Sequence, residues 1–160
     1  MVLVFGLMVG CGGYCQRVLG VVRDVIINYY KDFIYFAVLF GSLVRGVFGP
    51  LSDVDIAVMF REGVDVVNAL PMLISDLALA LGVPEDRVDV VVLNDPLLPF
   101  AVRFNALTGG VPIYVGDRGV FVREVVRAVS LYGDYQVFLR VNGFGELIRR
   151  RVGDLHGSLE

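Results

Sequence analysis

Residues 40–46 read Phe-Gly-Ser-Leu-Val-Arg-Gly, and residues 52–58 read Ser-Asp-Val-Asp-Ile-Ala-Val. Ten residues separate Ser42 from Asp53, and each stretch borders an apolar run. Asp53 and Asp55 are two residues apart on a predicted strand, so their carboxylates leave the same face, while the alternate apolar residues face the other way. The stretch therefore predicts two strands that gather charged groups at one end.

These residue types indicate a particular chemistry. Two carboxylates on one face repel each other unless a cation lies between them, and Mg²⁺ is the usual cation where phosphates complete the coordination. Gly41 lets the backbone approach an anion closely, and Ser42 offers a hydroxyl and an N–H at a predicted helix N-terminus. Together they predict a nucleoside triphosphate held by Mg²⁺ or Mn²⁺.

The spaced motif also carries a family resemblance. Gly-Ser-x10-Asp-x-Asp resembles the signature of the DNA polymerase β-like nucleotidyltransferases, and the fuller form with Arg45 and Ser52 is similar to the minimal nucleotidyltransferases. Asp89 adds a third carboxylate on the predicted strand that follows, and residues 103–114 resemble the segment these proteins carry next. The resemblance spans roughly residues 16–151.

The resemblance implies a fold and a site. The fold would be α/β of the α+β type: a polymerase β-like nucleotidyltransferase core with a mixed sheet of about four strands, helices on one face and C-terminal helices. Asp53, Asp55 and Asp89 would be the catalytic residues and the metal ligands. Gly41 and Ser42 would hold the β- and γ-phosphates, and Arg45 would add a phosphate contact. The reaction would be attack of a hydroxyl on the α-phosphate of ATP, with pyrophosphate leaving.

Length and net charge bear on which kind of nucleotidyltransferase this is. The chain has 160 residues and a net charge of −3, so we expect neither the extra domains nor the basic surface of a polymerase. It resembles the small antitoxins that pair with a HEPN ribonuclease toxin and attach AMP to a tyrosine of that toxin. Two alternatives stay open: an antitoxin that only binds its toxin, and a small-molecule nucleotidyltransferase. We expect a HEPN-type partner and no direct nucleic-acid binding, and a homo-oligomer stays open.

Periodicity predicts the secondary structure. The predicted strands lie at residues 34–40, 53–60, 87–93 and 111–115. The predicted helices lie at residues 18–30, 65–81, 118–131 and 135–151, with a short helix at 42–47 and a turn at 48–51. Pro71 within the pattern at 65–81 either kinks the second helix or marks its first turn. Because proline suits the first turn, we expect the helix to begin near Leu70.

Length and hydropathy set the organisation. A chain of this size is expected to form one domain, with an apolar N-terminal extension at 1–15, the nucleotidyltransferase core at 16–117 and a helical segment at 118–160. No uncharged apolar run reaches the ~18 residues of a membrane span. The first charge is Arg17, so the start lacks the basic region of a secretory signal. We therefore expect a cytoplasmic protein with an uncleaved N-terminus. Two cysteines and one histidine are too few for a structural zinc site.

Overall fold

The computed structural model describes residues 12–47 and 52–142. The helices are α1 (Gly13–Val25, continued by a π-helical turn at Ile26–Tyr30), α2 (Val66–Leu81), α3 (Phe100–Gly109) and α4 (Arg118–Val141). The strands are β1 (Ile34–Phe40), β2 (Val54–Phe60), β3 (Val88–Val92) and β4 (Val111–Val115), and a short 3-10 turn at Glu85–Arg87 precedes β3. None of the helices in the described ranges is both long and apolar enough to cross a membrane.

The four strands form one mixed sheet in the order β3-β2-β1-β4. β1 pairs antiparallel with β2 and with β4, and β2 pairs parallel with β3. The predicted mixed sheet of about four strands is therefore confirmed. Because β2 and β3 run the same way, both begin at the sheet end where β1 finishes. This arrangement brings the end of β1 next to the start of β2, with the start of β3 one strand further along.

Helices cover both faces of the sheet. Ala37 and Leu39 of β1 belong to the core cluster that contains α1 and α2, whereas Phe36 and Val38 belong to a second cluster with α3 and α4. The expectation of helices on one face thus needs correction. A central strand that is apolar on both sides requires cover on both sides.

α2 begins earlier than expected. It starts at Val66, where the Asp65 side chain accepts a hydrogen bond from the Asn68 N–H, and Pro71 lies inside the helix. Proline has no N–H to donate to the carbonyl four residues before it, here that of Val67. Val67 is 82% exposed, so solvent can reach that part of the helix. The cap at Asp65 therefore sets the helix start, and the expected start near Leu70 is wrong.

Four further features differ from the sequence predictions. Residues 42–46 form turns rather than a helix, although the Arg45 N–H still bonds to the Gly41 carbonyl at 3.3 Å. α3 was not predicted, and α4 runs as one helix where two were expected. The core helix α1 begins at Gly13, inside the extension expected at 1–15. The rest of that extension, the turn at 48–51 and the helix beyond 142 lie outside the described residues.

Gly133 provides a test of the continuous α4. It is exposed within the helix, and a Cβ at this position would meet nothing within 4 Å. Gly133→Ala should therefore raise the free energy of unfolding by roughly 0.5–1 kcal/mol, because alanine loses less backbone entropy in a helix. Urea denaturation measures the change. Gly110→Ala is the opposite control, since its Cβ would collide with the Ala106 carbonyl. A loss of stability in Gly133→Ala would contradict one unbroken helix.

Candidate active site

The sheet places Asp55 at the meeting point of three strands. It lies opposite Phe40 of β1 and opposite Asp89 of β3. Side chains alternate along β2, so Asp55 shares a face with Ala57, which packs in the α3–α4 cluster. Asp53 and Asp89 are exposed, and Asp55 is half-buried between them and the end of β1. The carboxylates therefore collect at one open end of the sheet.

Gly41 makes this arrangement possible. Its φ is +78°, a left-handed conformation that favours glycine, and a Cβ here would collide with Asp55 Oδ2. The next residue, Ser42, donates its backbone N–H to the Asp55 carboxylate. We had predicted that Gly41 lets the backbone approach an anion. In the structure the anion it approaches is a carboxylate of the same chain.

The negative charges of the three carboxylates at this site are only partly balanced by nearby positive charge. Burial raises the pKa of Asp55, and the charges of Asp89 and Asp53 raise it further. Arg45 and the hydrogen bond from Ser42 act in the opposite direction but do not cancel the increase. A cation bound beside Asp55 would relieve both the repulsion and the cost of burial.

Asp53 is held by an arginine that sequence reasoning missed. Arg87 Nη1 lies 3.3 Å from Asp53 Oδ1, with the two side chains 26% and 52% exposed. Within residues 12–47 and 52–142, no three His, Cys, Asp or Glu side chains are grouped closely enough to form a ready metal site. An exposed ion pair of this kind contributes only about 0.2–1 kcal/mol, so a divalent ion could displace Arg87 at small cost. The position of Arg87, two residues before Asp89, was the available sequence signal.

The six predicted site residues surround one point. Gly41, Ser42, Arg45, Asp53 and Asp89 all interact with Asp55, either by contact or through charge. The donor set consists of hard carboxylate oxygens from neighbouring strands, which suits Mg²⁺ or Mn²⁺. The chemistry of the donors therefore fits a divalent ion, although the three carboxylates would have to move closer together to bind it. Arg45 adds one positive charge beside Asp55.

Comparison with known families agrees with this geometry. The family model described as Polymerase beta, Nucleotidyltransferase matches residues 24–119. That range covers more than half of the chain, including all four strands and every predicted site residue. The chain therefore belongs to the polymerase β nucleotidyltransferase family, and the protein is a nucleotidyltransferase. The expected family is confirmed.

The fold is also similar to chains in several solved toxin–antitoxin structures. The fold is similar to a chain in a toxin–antitoxin structure with AMP-PNP, with a TM-score of 0.63, 22% identity and coverage of 81% of this chain and 98% of that one. A chain of the toxin–antitoxin MntA–HepT has a TM-score of 0.59 and 20% identity, and the match covers 82% of this chain and 98% of that one. A chain from the complex of tri-AMPylated Shewanella oneidensis HEPN toxin with MNT antitoxin has a TM-score of 0.58 and 22% identity, and the match covers 81% of this chain and 98% of that one. At these identities the likeness establishes the fold. A search of curated proteins finds no significant match.

The raised pKa of Asp55 predicts a gain of stability on neutralisation. Between the ordinary carboxyl pKa near 4 and the raised value, the folded state binds more protons than the unfolded state, so stability falls as pH increases. Asp55→Asn keeps an acceptor for Ser42 and removes the charge. In EDTA it should raise Tm at pH 7, and the gain should vanish below about pH 4. Equal Tm values at pH 7 would contradict this account.

Gly41 can be tested against a matched glycine. Gly63 has a φ of +81°, similar to that of Gly41, but a Cβ there meets nothing within 4 Å. Alanine at either position should lose about 1–2 kcal/mol from the left-handed backbone. Gly41→Ala should lose more in urea denaturation, because its Cβ also displaces the Asp55 carboxylate. Equal losses for the two variants would show that the close approach to Asp55 is unimportant.

Proposed function

We propose that this nucleotidyltransferase transfers AMP from ATP to a tyrosine of a cognate HEPN ribonuclease and so acts as its antitoxin. The observation that carries the proposal is the cluster around Asp55. A glycine turn, three carboxylates and an arginine converge there, as transfer of a nucleotide requires. The intact constellation favours an active enzyme over an antitoxin that only binds.

Each residue has a part in the proposed reaction. The tyrosine hydroxyl oxygen attacks the α-phosphorus of ATP, the bond from that phosphorus to the bridging oxygen breaks, and pyrophosphate leaves. Asp89 accepts the hydroxyl proton. The Ser42 hydroxyl and Arg45 bind the β- and γ-phosphates beside Gly41. Mg²⁺ or Mn²⁺ held by Asp53, Asp55 and Asp89 would supply the positive charge that stabilises the phosphate oxygens.

Two structural neighbours support the proposed nucleotide donor and the proposed acceptor protein. One neighbouring chain comes from a toxin–antitoxin structure with AMP-PNP, an ATP analogue. Another comes from a complex of an MNT antitoxin with a tri-AMPylated HEPN toxin. ATP as the donor and a HEPN protein as the acceptor are the assignments that follow for this chain. Such a reaction implies a cytoplasmic location, where ATP is available.

The exposed apolar residues of α4 support binding of a protein partner. This helix leaves several valines at least 48% exposed, at positions 122, 126, 129, 137 and 141. Its inner side is held to α3, where Phe104 stacks on Tyr132 with ring centroids 4.2 Å apart. Apolar side chains exposed along one helix are typical of a protein-binding face. In the proposal the segment 131–151, of which residues 131–142 are described, holds the toxin.

The transfer itself is tested with the co-encoded partner protein. We expect its mass to rise by one or more AMP units when it is incubated with the wild-type protein, ATP and Mg²⁺. Asp53→Asn/Asp55→Asn should abolish the increase, because the carboxylates that hold the cation lose their charge. Glu85→Gln/Asp86→Asn removes two exposed acids near the same strand end and should leave transfer intact.

The alternatives give different results in the same experiment. If the doubly substituted protein protects cells from the partner as well as the wild type does, and the partner shows no change of mass, the protein is a binding-only antitoxin. If AMP is released onto a small acceptor while the partner stays unmodified, the protein is a small-molecule nucleotidyltransferase.

A further inference from the structure

A cavity lies far from Asp55. It has a volume of about 670 Å³ and is bounded by the π-helical turn, the connection from β2 to α2 and the first turns of α2. Ile34 and Phe60 pair at this end of the sheet, whereas Phe40 and Asp55 pair at the other. Six residues along a strand span about 20 Å. The cavity is therefore separate from the nucleotidyltransferase site.

The walls of the cavity are largely apolar. Tyr29, Phe33 and Met72 line it and remain 68%, 48% and 63% exposed. In the π-helical turn Tyr29 is exposed and Tyr30 is buried. The Tyr30 hydroxyl donates a 2.6 Å hydrogen bond to Asp76. π-helical turns are uncommon and occur frequently at functional sites. A volume of this size also falls within the range of small-molecule pockets, about 300–1,000 Å³.

The charge of the lining is predominantly negative. Four carboxylates line the cavity, at positions 32, 62, 65 and 76, against one arginine, Arg61. The Arg61 guanidinium lies over the Tyr35 ring, 4.8 Å from its centroid, and its Nε is buried with no acceptor among the described residues. The Asp65 carboxylate accepts a hydrogen bond from the Asn68 side chain, and the Asp76 carboxylate accepts one from the Tyr30 hydroxyl. Asp32 and Glu62 form no ion pair within the described part of the chain.

We infer that this cavity binds a small organic cation: a guanidinium or amidinium group carried on an apolar body. The body packs against Tyr29, Phe33 and Met72, and the charge lies toward Asp32 and Glu62. Aromatic faces next to carboxylates attract such cations through both the ring and the charge. This inference does not depend on the proposed acceptor, because the cavity lies at the other end of the sheet.

Three probes of one shape test the inference. Benzamidinium, benzamide and benzoate differ mainly in charge. In ¹H–¹⁵N NMR titrations, benzamidinium should shift the amides of residues 29–33 and 61–65, and benzamide and benzoate should leave them nearly unchanged. The amides of residues 41–45 and 53–55 should not move. Equal shifts with benzamide, or shifts confined to the Asp55 end, would overturn the inference.

A pair of matched variants checks the role of the carboxylates. Asp32→Asn/Glu62→Gln removes two charges at the rim and should weaken benzamidinium binding about three- to tenfold, with the effect reduced at high salt. Glu85→Gln/Asp86→Asn changes the net charge equally at the other end of the sheet and should have no effect. Far-UV circular dichroism confirms that both variants fold. Equal weakening by the two variants would show non-specific attraction only.

The same titration separates a free cation from an arginine on a partner protein. Acetyl-Leu-Arg-amide carries its guanidinium on a peptide. Binding weaker than that of benzamidinium supports the small-molecule assignment. Much tighter binding of the dipeptide would overturn it and mark the cavity as a site for a protein segment.

Discussion

The contact between the Gly41 backbone and the Asp55 carboxylate is the constraint on which the site depends. The end of β1 can lie this close to the start of β2 only because residue 41 has no side chain. Ser42 then directs its N–H at Asp55, and the pairing of β2 with β3 fixes Asp89 alongside. The absence of a Cβ at residue 41 therefore allows the strand pairing that brings these charged groups together.

The resulting cluster is unfavourable without a counter-charge. Burial and two neighbouring carboxylates act against ionisation of Asp55, and they are opposed by Arg45 and by one backbone hydrogen bond. Arg87 holds Asp53 in an exposed ion pair that contributes little to stability. Strain of this kind is commonly found where a binding site is prepared for a ligand that completes it. At Asp55 a group of positive charge would relieve the repulsion.

Part of this structure could be predicted from sequence, and the reasons are local. The apolar run that ends at Gly41 predicted β1, and the alternation of Asp53 and Asp55 with apolar residues predicted β2. The spacing from Ser42 to Asp53, with Asp89 beyond it, predicted the family. Other features depend on packing between distant segments. The start of α2 was misplaced because Pro71 lies inside the helix while Asp65 caps it. The division of helices between the two faces, the Arg87 ion pair and the distal cavity all arise from tertiary contacts that spacing does not encode.

Calorimetry of ATP binding in Mg²⁺ and in EDTA tests the central claim most directly. If the carboxylates around Asp55 form a cation site, ATP should bind the wild-type protein much more tightly with Mg²⁺ than with EDTA. Asp89→Asn should lose most of that difference, because the exposed substitution removes a ligand charge and no packing. Equal ATP affinity of the wild-type protein in Mg²⁺ and in EDTA would contradict the account.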